Sequence, residues 1–318
     1  MQINNKYIDE SDESVDIVIT WVDGDDPKHL RKRKKCMKNN SDLHTNAVEV
    51  NRWRNKNELI FCLLSIQNHA SWVRKIWIIT DSQTPNLHSL KSETLKKIRL
   101  VDHKHIFDGY HNYLPTFNSV SIETFMWRIP ELSERFIYLN DDVFITSPVQ
   151  PSDFYKNKYP LLRGNWVDFT TIEENQLHRF HKRNAAELLG YNVQNMFSSA
   201  HVGHPMLKSV LEELFRMYTD TFSNNASYKF RSECQFLPVD AHNHFLLSKN
   251  LVDIVENSDY INLSLKKLES KGVVWVEKKA KLGKKGRYKM MCLNDFFALN
   301  RSCKKIKKYI LHAIGCKH

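Results

Sequence analysis

The run Arg135-Phe136-Ile137-Tyr138-Leu139-Asn140-Asp141-Asp142-Val143-Phe144-Ile145 constrains the fold of this chain more than any other stretch. Its apolar, β-branched and aromatic residues, with no Gly or Pro among them, predict a strand buried on both faces of a sheet. Two adjacent carboxylates interrupt it. Burying such a pair is costly unless the charge is compensated, which points to the open carboxyl edge of an α/β sheet or to a bound cation. A strand running into an Asp-rich turn is the plainer reading.

Three other segments share the pattern. Residues 15–22, 76–80 and 98–102 read as strands, and the first two run straight into Asp23 and Asp81. Between them, Asn57 can cap a helix with Leu59, Cys62, Leu63 and Ile66 at helical spacing, and residues 117–127 predict another helix entered through Pro115-Thr116. Strands alternating with helices, and closing in Asp, predict an α/β fold with a mostly parallel central sheet and helices on both faces. Ligands bind outside the carboxyl ends of such strands, where Asp23, Asp81, Asp141 and Asp142 would gather. The C-terminal half reads as more helical. A helix is expected from Pro205 to Tyr218 and another over 244–251, a strand over 273–276, and an amphipathic basic helix over 304–318.

Composition narrows the partners. The 318 residues carry a formal net charge of +11, which favours anionic ligands such as nucleotides, phosphorylated glycans or an anionic membrane surface. Seven Lys or Arg fall in residues 28–38, as expected of a solvated helix or loop. No run approaches the roughly 18 apolar residues of a membrane span, and the acidic residues 1–13 do not resemble a signal peptide, so a cytoplasmic location is expected. Six scattered cysteines without a C-x-x-C pair predict reduced thiols. The absence of G-x-x-x-x-G-K-[ST], of G-x-G-x-x-G after a strand and of G-x-S-x-G removes support for a P-loop ATPase, a dinucleotide oxidoreductase and a serine hydrolase. No nucleic-acid module is recognisable, and no nucleic-acid partner is expected.

Two clusters outside the strands can carry chemistry. His201 and His204 are too few for a zinc site, but ahead of a helix N-terminus either could meet a phosphate or act as a general base. Arg231 has the planar fork that clamps phosphate, or it forms an ordinary surface ion pair.

Taken in order, these residues resemble the Stealth family of sugar-phosphate transferases, which includes bacterial capsular polysaccharide phosphotransferases and the lysosomal GlcNAc-1-phosphotransferase. Asp16-Ile17-Val18-Ile19-Thr20-Trp21-Val22-Asp23-Gly24 is similar to the first block of that family. The second block extends from Asn57-Glu58-Leu59 through Trp72-Val73-Arg74-Lys75-Ile76, Thr80-Asp81, Leu114-Pro115-Thr116-Phe117-Asn118-Ser119 and Ile122-Glu123 to the Asp141-Asp142 run. Ala200-His201, His204 and Phe230-Arg231-Ser232 resemble the third, and Cys292-Leu293-Asn294-Asp295 the fourth. Two departures stand out: Ile60 and Leu64 occupy positions where the family often has arginine, leaving Arg52, Arg54 or Lys56 to supply any anion contact, and Phe296-Phe297 follows Asp295 directly.

The resemblance implies a nucleotide-sugar transferase fold of the glycosyltransferase-A type. It implies transfer of a sugar 1-phosphate from a UDP-sugar to the hydroxyl of a glycan or lipid-linked glycan, with release of UMP. Asp142 and Asp295 would hold Mg²⁺ or Mn²⁺, and Asp141 would meet the metal or the acceptor hydroxyl. His204 would be the base, His201 a phosphate neighbour, and Arg231 the group that stabilises transferred charge. Asp23, Gly24, Asp81, Asn118, Asn140 and Asn294 would line the substrate pocket. Residues 1–15 are then a polar tail, 16–300 one catalytic domain with a nucleotide-sugar half (16–150) and an acceptor half (151–300), and 301–318 a basic tail able to touch the inner membrane face. A glycosyltransferase that releases UDP, and a basic module that binds an anionic polymer without turnover, are the alternatives.

Overall fold

The computed structural model describes residues 14–38, 43–47, 58–173 and 176–316. Its strands run in chain order β1 (Val15–Thr20), β2 (Ile76–Thr80), β3 (Ile98–Asp102), β4 (Arg135–Asn140), β5 (Val143–Ile145), β6 (Tyr155–Lys156), β7 (Tyr159–Leu162), β8 (Gly164–Val167), β9 (Met196–Ser199), β10 (His204–Leu207), β11 (Asp253–Ile254), β12 (Tyr260–Leu263) and β13 (Met290–Leu293). The central sheet has the order β10-β4-β1-β2-β3. Four of its strands are parallel, as the alternating pattern predicts, and β10 closes one edge antiparallel to β4.

Both faces of this sheet are covered because successive side chains alternate between them. Ile17, Ile19, Ile76, Ile78, Ile137 and Leu139 pack on one side with Leu59, Cys62, Leu63 and Ile66 of the helix Glu58–His69. Val18, Trp77, Ile79, Phe136 and Tyr138 pack on the other with Ile122, Phe125 and Met126. The latter come from the helix Ser119–Phe125 and the 3₁₀ turn that follows it. At the amino end of β1, Asp16 is fully buried and accepts from Arg74 Nε at 2.9 Å and Trp77 Nε1 at 2.8 Å, which compensates its charge.

Three expectations are corrected. The run 135–145 is two strands: β4 ends at Asn140, the chain turns at Asp141 and Asp142, and β5 leaves to pair with β13. The carboxylates break the strand because continuing it would bury their charge between apolar faces without compensation. The helix expected from Pro205 starts at Lys208, since His204–Leu207 is the edge strand β10, where a proline lacking an N–H is tolerated. The strand expected over 273–276 lies within the helix Leu265–Lys284, interrupted only at Gly272, whose φ of 79° is left-handed. There Val276, Ala280 and Gly283 recur at helical spacing on the buried side, and that outweighs the β-branched pair Val273-Val274.

The helix expected over 244–251 begins earlier, at Pro238, and runs to Ser248. The basic tail contains the helix Ile306–Ala313, whose Ile306 and Ile310, with Ile314 just beyond, are fully buried in the main core. Asn68 Nδ2 donates to Ile314 O at 2.8 Å and fastens its end to the helix Glu58–His69. Among the described residues no helix is long and apolar enough to cross a membrane. The expected Asn57 cap, the contacts of Arg52, Arg54 and Lys56, and the acidic residues 1–13 lie outside the described residues.

Candidate active site

The carboxyl edge of the parallel strands opens into a cavity of about 880 Å³. Strand register builds its floor. Thr20 pairs with Asn140 across β1 and β4, and His204 pairs with Tyr138 across β4 and β10, so three strand ends deliver polar side chains to one spot. The β4–β5 turn adds Asp141 and Asp142. The β9–β10 connection adds His201, and it can lie close against β4 because residue 203 is glycine: a Cβ there would come 3.0 Å from Leu139 Cδ2 and 3.2 Å from Ile137 Cγ2.

One wall is a connected set of polar groups. Tyr138 OH donates to Asn140 Oδ1 at 2.9 Å and lies 3.0 Å from Thr20 Oγ1. Nε2 of His201 stands 3.1 Å from Asn140 Nδ2 and 3.3 Å from Asp142 Oδ1. Cys292 Sγ, arriving on β13, is 3.6 Å from Asp142 Oδ2. Donor atoms of Asp142, His201 and Cys292 all fall within 4.8 Å of one another, close enough to share one cation. Burial favours a protonated Asp142, but His201 and the Cys292 thiol more than offset it and hold the carboxyl below its ordinary range. Asp141 is driven well above that range by burial, by Asp142 and by Glu58.

The donor set tests the expected ion. Burial and Asp142 raise the Cys292 thiol well above its usual value, so it is a neutral neighbour rather than a thiolate. A carboxylate with an imidazole suits Mn²⁺ better than Mg²⁺, which prefers oxygen ligands. Asp295 faces the same cavity but does not join this trio: its Oδ1 accepts from Ala298 N at 3.2 Å and caps the helix Phe296–Ser302.

The lining also carries cationic side chains. Arg231 donates to Ser119 Oγ at 2.6 Å. Lys182, 8% exposed, donates to Ser198 Oγ at 3.0 Å and to Ser199 O, with Asp240 as its nearest negative charge. Glu123, 5% exposed, faces the cavity beside Arg231, Tyr138 and Ser119, and burial pushes its carboxyl up to about 7.

Nine of the twelve residues expected at the site line this cavity: Asp141, Asp142, His201, His204, Arg231, Asn118, Asn140, Asn294 and Asp295. Their surroundings change what some of them can do. Asn118 is buried and caps the helix Ser119–Phe125, while its amide donates to Gln235 Oε1 at 2.8 Å. His204 sits on a strand rather than before a helix, and burial together with His201, Lys182 and His242 lowers its pKa to about 3. Asp23, Gly24 and Asp81 are not among the lining residues. Asp23 Oδ1 accepts from Asp25 N at 3.1 Å in its own turn, and Asp81 pairs with Lys32 at 2.8 Å. That pair also gives the basic helix Pro27–Lys38 an internal partner.

Glu123, Tyr138, Lys182 and Cys292 carry no role in the sequence reading, although Glu123, Tyr138 and Cys292 lie inside the matched blocks. Spacing offers a signal for Glu123 alone, an acidic residue among the apolar positions Ile122, Phe125 and Met126 of a helix.

The protein is mixed α/β, and its sheet-edge cavity is lined by a carboxylate–imidazole pair together with cationic side chains. The chain belongs to the Stealth family. The family models for Stealth conserved region 1 and conserved region 2 match residues 13–41 and 52–161. A capsular polysaccharide phosphotransferase of Haemophilus influenzae, fcs1, is 33% identical over 232 residues, covering 69% of this chain and 61% of that protein. The cps1A protein of Actinobacillus pleuropneumoniae, of the same description, is 35% identical over 235 residues with the same coverage. The chain therefore spans about three fifths of the length of these relatives. Among solved structures, the galactosyltransferase LgtC aligns over 95% of this chain and 96% of its own at 13% identity, with a TM-score of 0.44.

Proposed function

We propose that this chain transfers a sugar 1-phosphate from a UDP-sugar to a hydroxyl of a glycan or lipid-linked glycan, forming a phosphodiester and releasing UMP, in the synthesis of a cell-surface polysaccharide. The observation that carries the reading is one cavity whose lining combines the carboxylate–imidazole pair Asp142 and His201 with the cationic side chains Arg231 and Lys182. A diphosphate needs both kinds of group, because its charge is held by a cation on protein ligands and by fixed protein cations. The cavity's size lies within the range of small-molecule sites. The relatives' description as capsular polysaccharide phosphotransferases agrees with it.

In this reading Asp142 and His201 would hold Mn²⁺ or Mg²⁺. The ion supplies Lewis-acid screening of the diphosphate when bound. Arg231 meets the negative charge that builds up on the transferred phosphoryl group, and its bond to Ser119 fixes the fork. Lys182 is held by two serines of β9 and presents its ammonium to the same cavity. Asp141, whose carboxyl is pushed up by burial, by Asp142 and by Glu58, lines the cavity where it can meet a substrate hydroxyl. Asn140 and Asn294 offer amides to the sugar. His204 is neutral and too weakly basic to take a hydroxyl proton efficiently near pH 7, so its part is to pack against Tyr138, whose ring it stacks on at 6.4 Å.

The test is to incubate the protein with UDP-sugars, Mn²⁺ or Mg²⁺ and a glycan acceptor pool, and to resolve the released nucleotide. Metal-dependent UMP is expected. Release of UDP would mean glycosidic transfer and would overturn attack at phosphorus.

A further inference from the structure

With His204 a poor base, the proton of the acceptor hydroxyl needs another acceptor. We propose that Glu123 is the general base of the transfer. The inference rests on the proposed phosphoryl transfer and names a residue to which that reading assigned nothing.

Glu123 stands on the helix Ser119–Phe125, whose capping by Asn118 fixes its direction. That helix packs on the sheet face that carries Tyr138, so the carboxyl lies behind the β4 edge and still faces the cavity. The charged and titratable groups around it are Arg231 from the segment before the helix Pro238–Ser248, Tyr138 on β4 and, further off, His201 on the β9–β10 connection. Burial alone would keep the carboxyl protonated; Arg231, with the hydroxyls of Tyr138 and Ser119, pulls it back to about 7. A carboxylate balanced there is half ionised at neutral pH and basic enough to accept a proton.

The step balances without another reactant. The acceptor oxygen attacks the phosphorus nearest the sugar, its proton passes to Glu123, and the bond from that phosphorus to the bridging oxygen breaks. UMP leaves with the electron pair, and Glu123 releases the proton to solvent. Arg231, held by Ser119 in the same lining, meets the charge on the phosphoryl oxygens as the proton moves to Glu123. The plainer role for Glu123 is to hold Arg231 in place.

The experiment compares wild type, Glu123→Gln, Glu123→Asp and Arg231→Gln in turnover, donor binding and pH profile. For Glu123→Gln the expected result is a fall in kcat of about 10²–10⁴-fold with donor Kd within about threefold, and loss of the acid limb near pH 7 that wild type shows. Glu123→Asp should recover part of kcat. A Glu123→Gln enzyme that keeps the acid limb and loses donor affinity in parallel with Arg231→Gln would overturn the proposal and leave Glu123 as a positioning residue. An infrared pH titration of the wild-type carboxyl against Glu123→Gln gives a readout that needs no turnover. A protonated-carboxyl band lost near pH 7 supports the assignment, and its absence overturns it. UDP in place of UMP would sink the phosphoryl-transfer reading alone, because the limb and the band concern the base whichever atom is attacked.

Discussion

Asp16 and Asp142 are both aspartates at the ends of buried strands, and their fates differ because of what each end offers. Asp16 lies at the amino end of β1, clamped by the Arg74 fork, the Trp77 indole and the backbone N–H of Ser133. Replacing it with Ala takes an acceptor from Arg74 and from three further donors, the Trp77 indole and the N–H groups of Lys75 and Ser133. Asp16→Ala should therefore cost about 3–5 kcal/mol in denaturant unfolding. Turnover per folded molecule should be unchanged, because the clamp is a strand length away from the cavity. Asp142 lies at the other end, half-buried, with an imidazole and a thiol beside it. Asp142→Asn is nearly isosteric and should keep the melting temperature within a few degrees while lowering Mn²⁺ affinity at least tenfold by calorimetry and abolishing turnover. Normal Mn²⁺ binding by that variant would sink the metal assignment.

The helix Pro238–Ser248 holds the histidine-bearing segment in place, and it does so with buried polar groups as well as apolar ones. His242 Nε2 accepts from Leu207 N at 3.0 Å, His244 Nε2 accepts from Phe197 N at 3.2 Å, and Asp240 Oδ1 accepts from Ser199 N at 3.3 Å. These bonds satisfy outward N–H groups of β9 and β10 on either side of His201 and His204. The histidines must be neutral to accept. Burial lowers His242 to about 4 from an ordinary 6.5, so its contribution is whole above pH 6.5 and is lost as pH falls from 6.5 toward 4, because the unfolded chain takes the proton first. One such group is worth ~3 kcal/mol over that window. Unfolding at a series of pH values should show this loss, and His242→Gln, which can still accept through its amide oxygen, should show a flatter slope; an equal slope would exclude His242 as its source.

None of this was legible beforehand. The helix was expected over 244–251 because Phe245, Leu246 and Leu247 are apolar, whereas its decisive positions, 240–244, read as polar. Periodicity found β1, β2 and β4, since each buries both faces and so carries a continuous apolar signal, while β3 is an edge strand with Arg99 and Leu100 exposed. It could not show that His204 belongs to an edge strand, because a four-residue pairing set by β4 overrides a local Pro signal. Nor could it show that Asp81 faces Lys32, a contact between residues 49 positions apart.

At the scale of the whole molecule the charge of +11 is distributed unevenly, and the structure alters how its role can be tested. Removing the tail after Asn300 would strip buried Ile306, Ile310 and Ile314 from the core, so a truncated chain would report on folding rather than on a surface. The helix Leu265–Lys284 offers a better probe. After its break at Gly272, Val274 is 82% exposed, and Lys278 and Lys281 follow it at helical spacing on one exposed face, with Lys285 just past the helix end. The helix Ile306–Ala313 packs beside it and exposes Lys307 and Lys308. An exposed apolar tip ringed by lysines matches an anionic bilayer, where a basic side chain near the surface is worth about 1 kcal/mol and a buried apolar one adds to it. Peripheral contact with the inner membrane face is our reading of this surface. The protein should cosediment with vesicles containing phosphatidylglycerol and not with pure phosphatidylcholine. The triple reversal Lys278→Glu, Lys281→Glu, Lys285→Glu should weaken that partitioning at least tenfold, and Val274→Asp should weaken it in the wild-type charge background. Unchanged partitioning in Val274→Asp, together with equally strong capture by a soluble polyanion, would make the face an electrostatic guide for an anionic glycan; no partitioning at all would leave it a solvated helix.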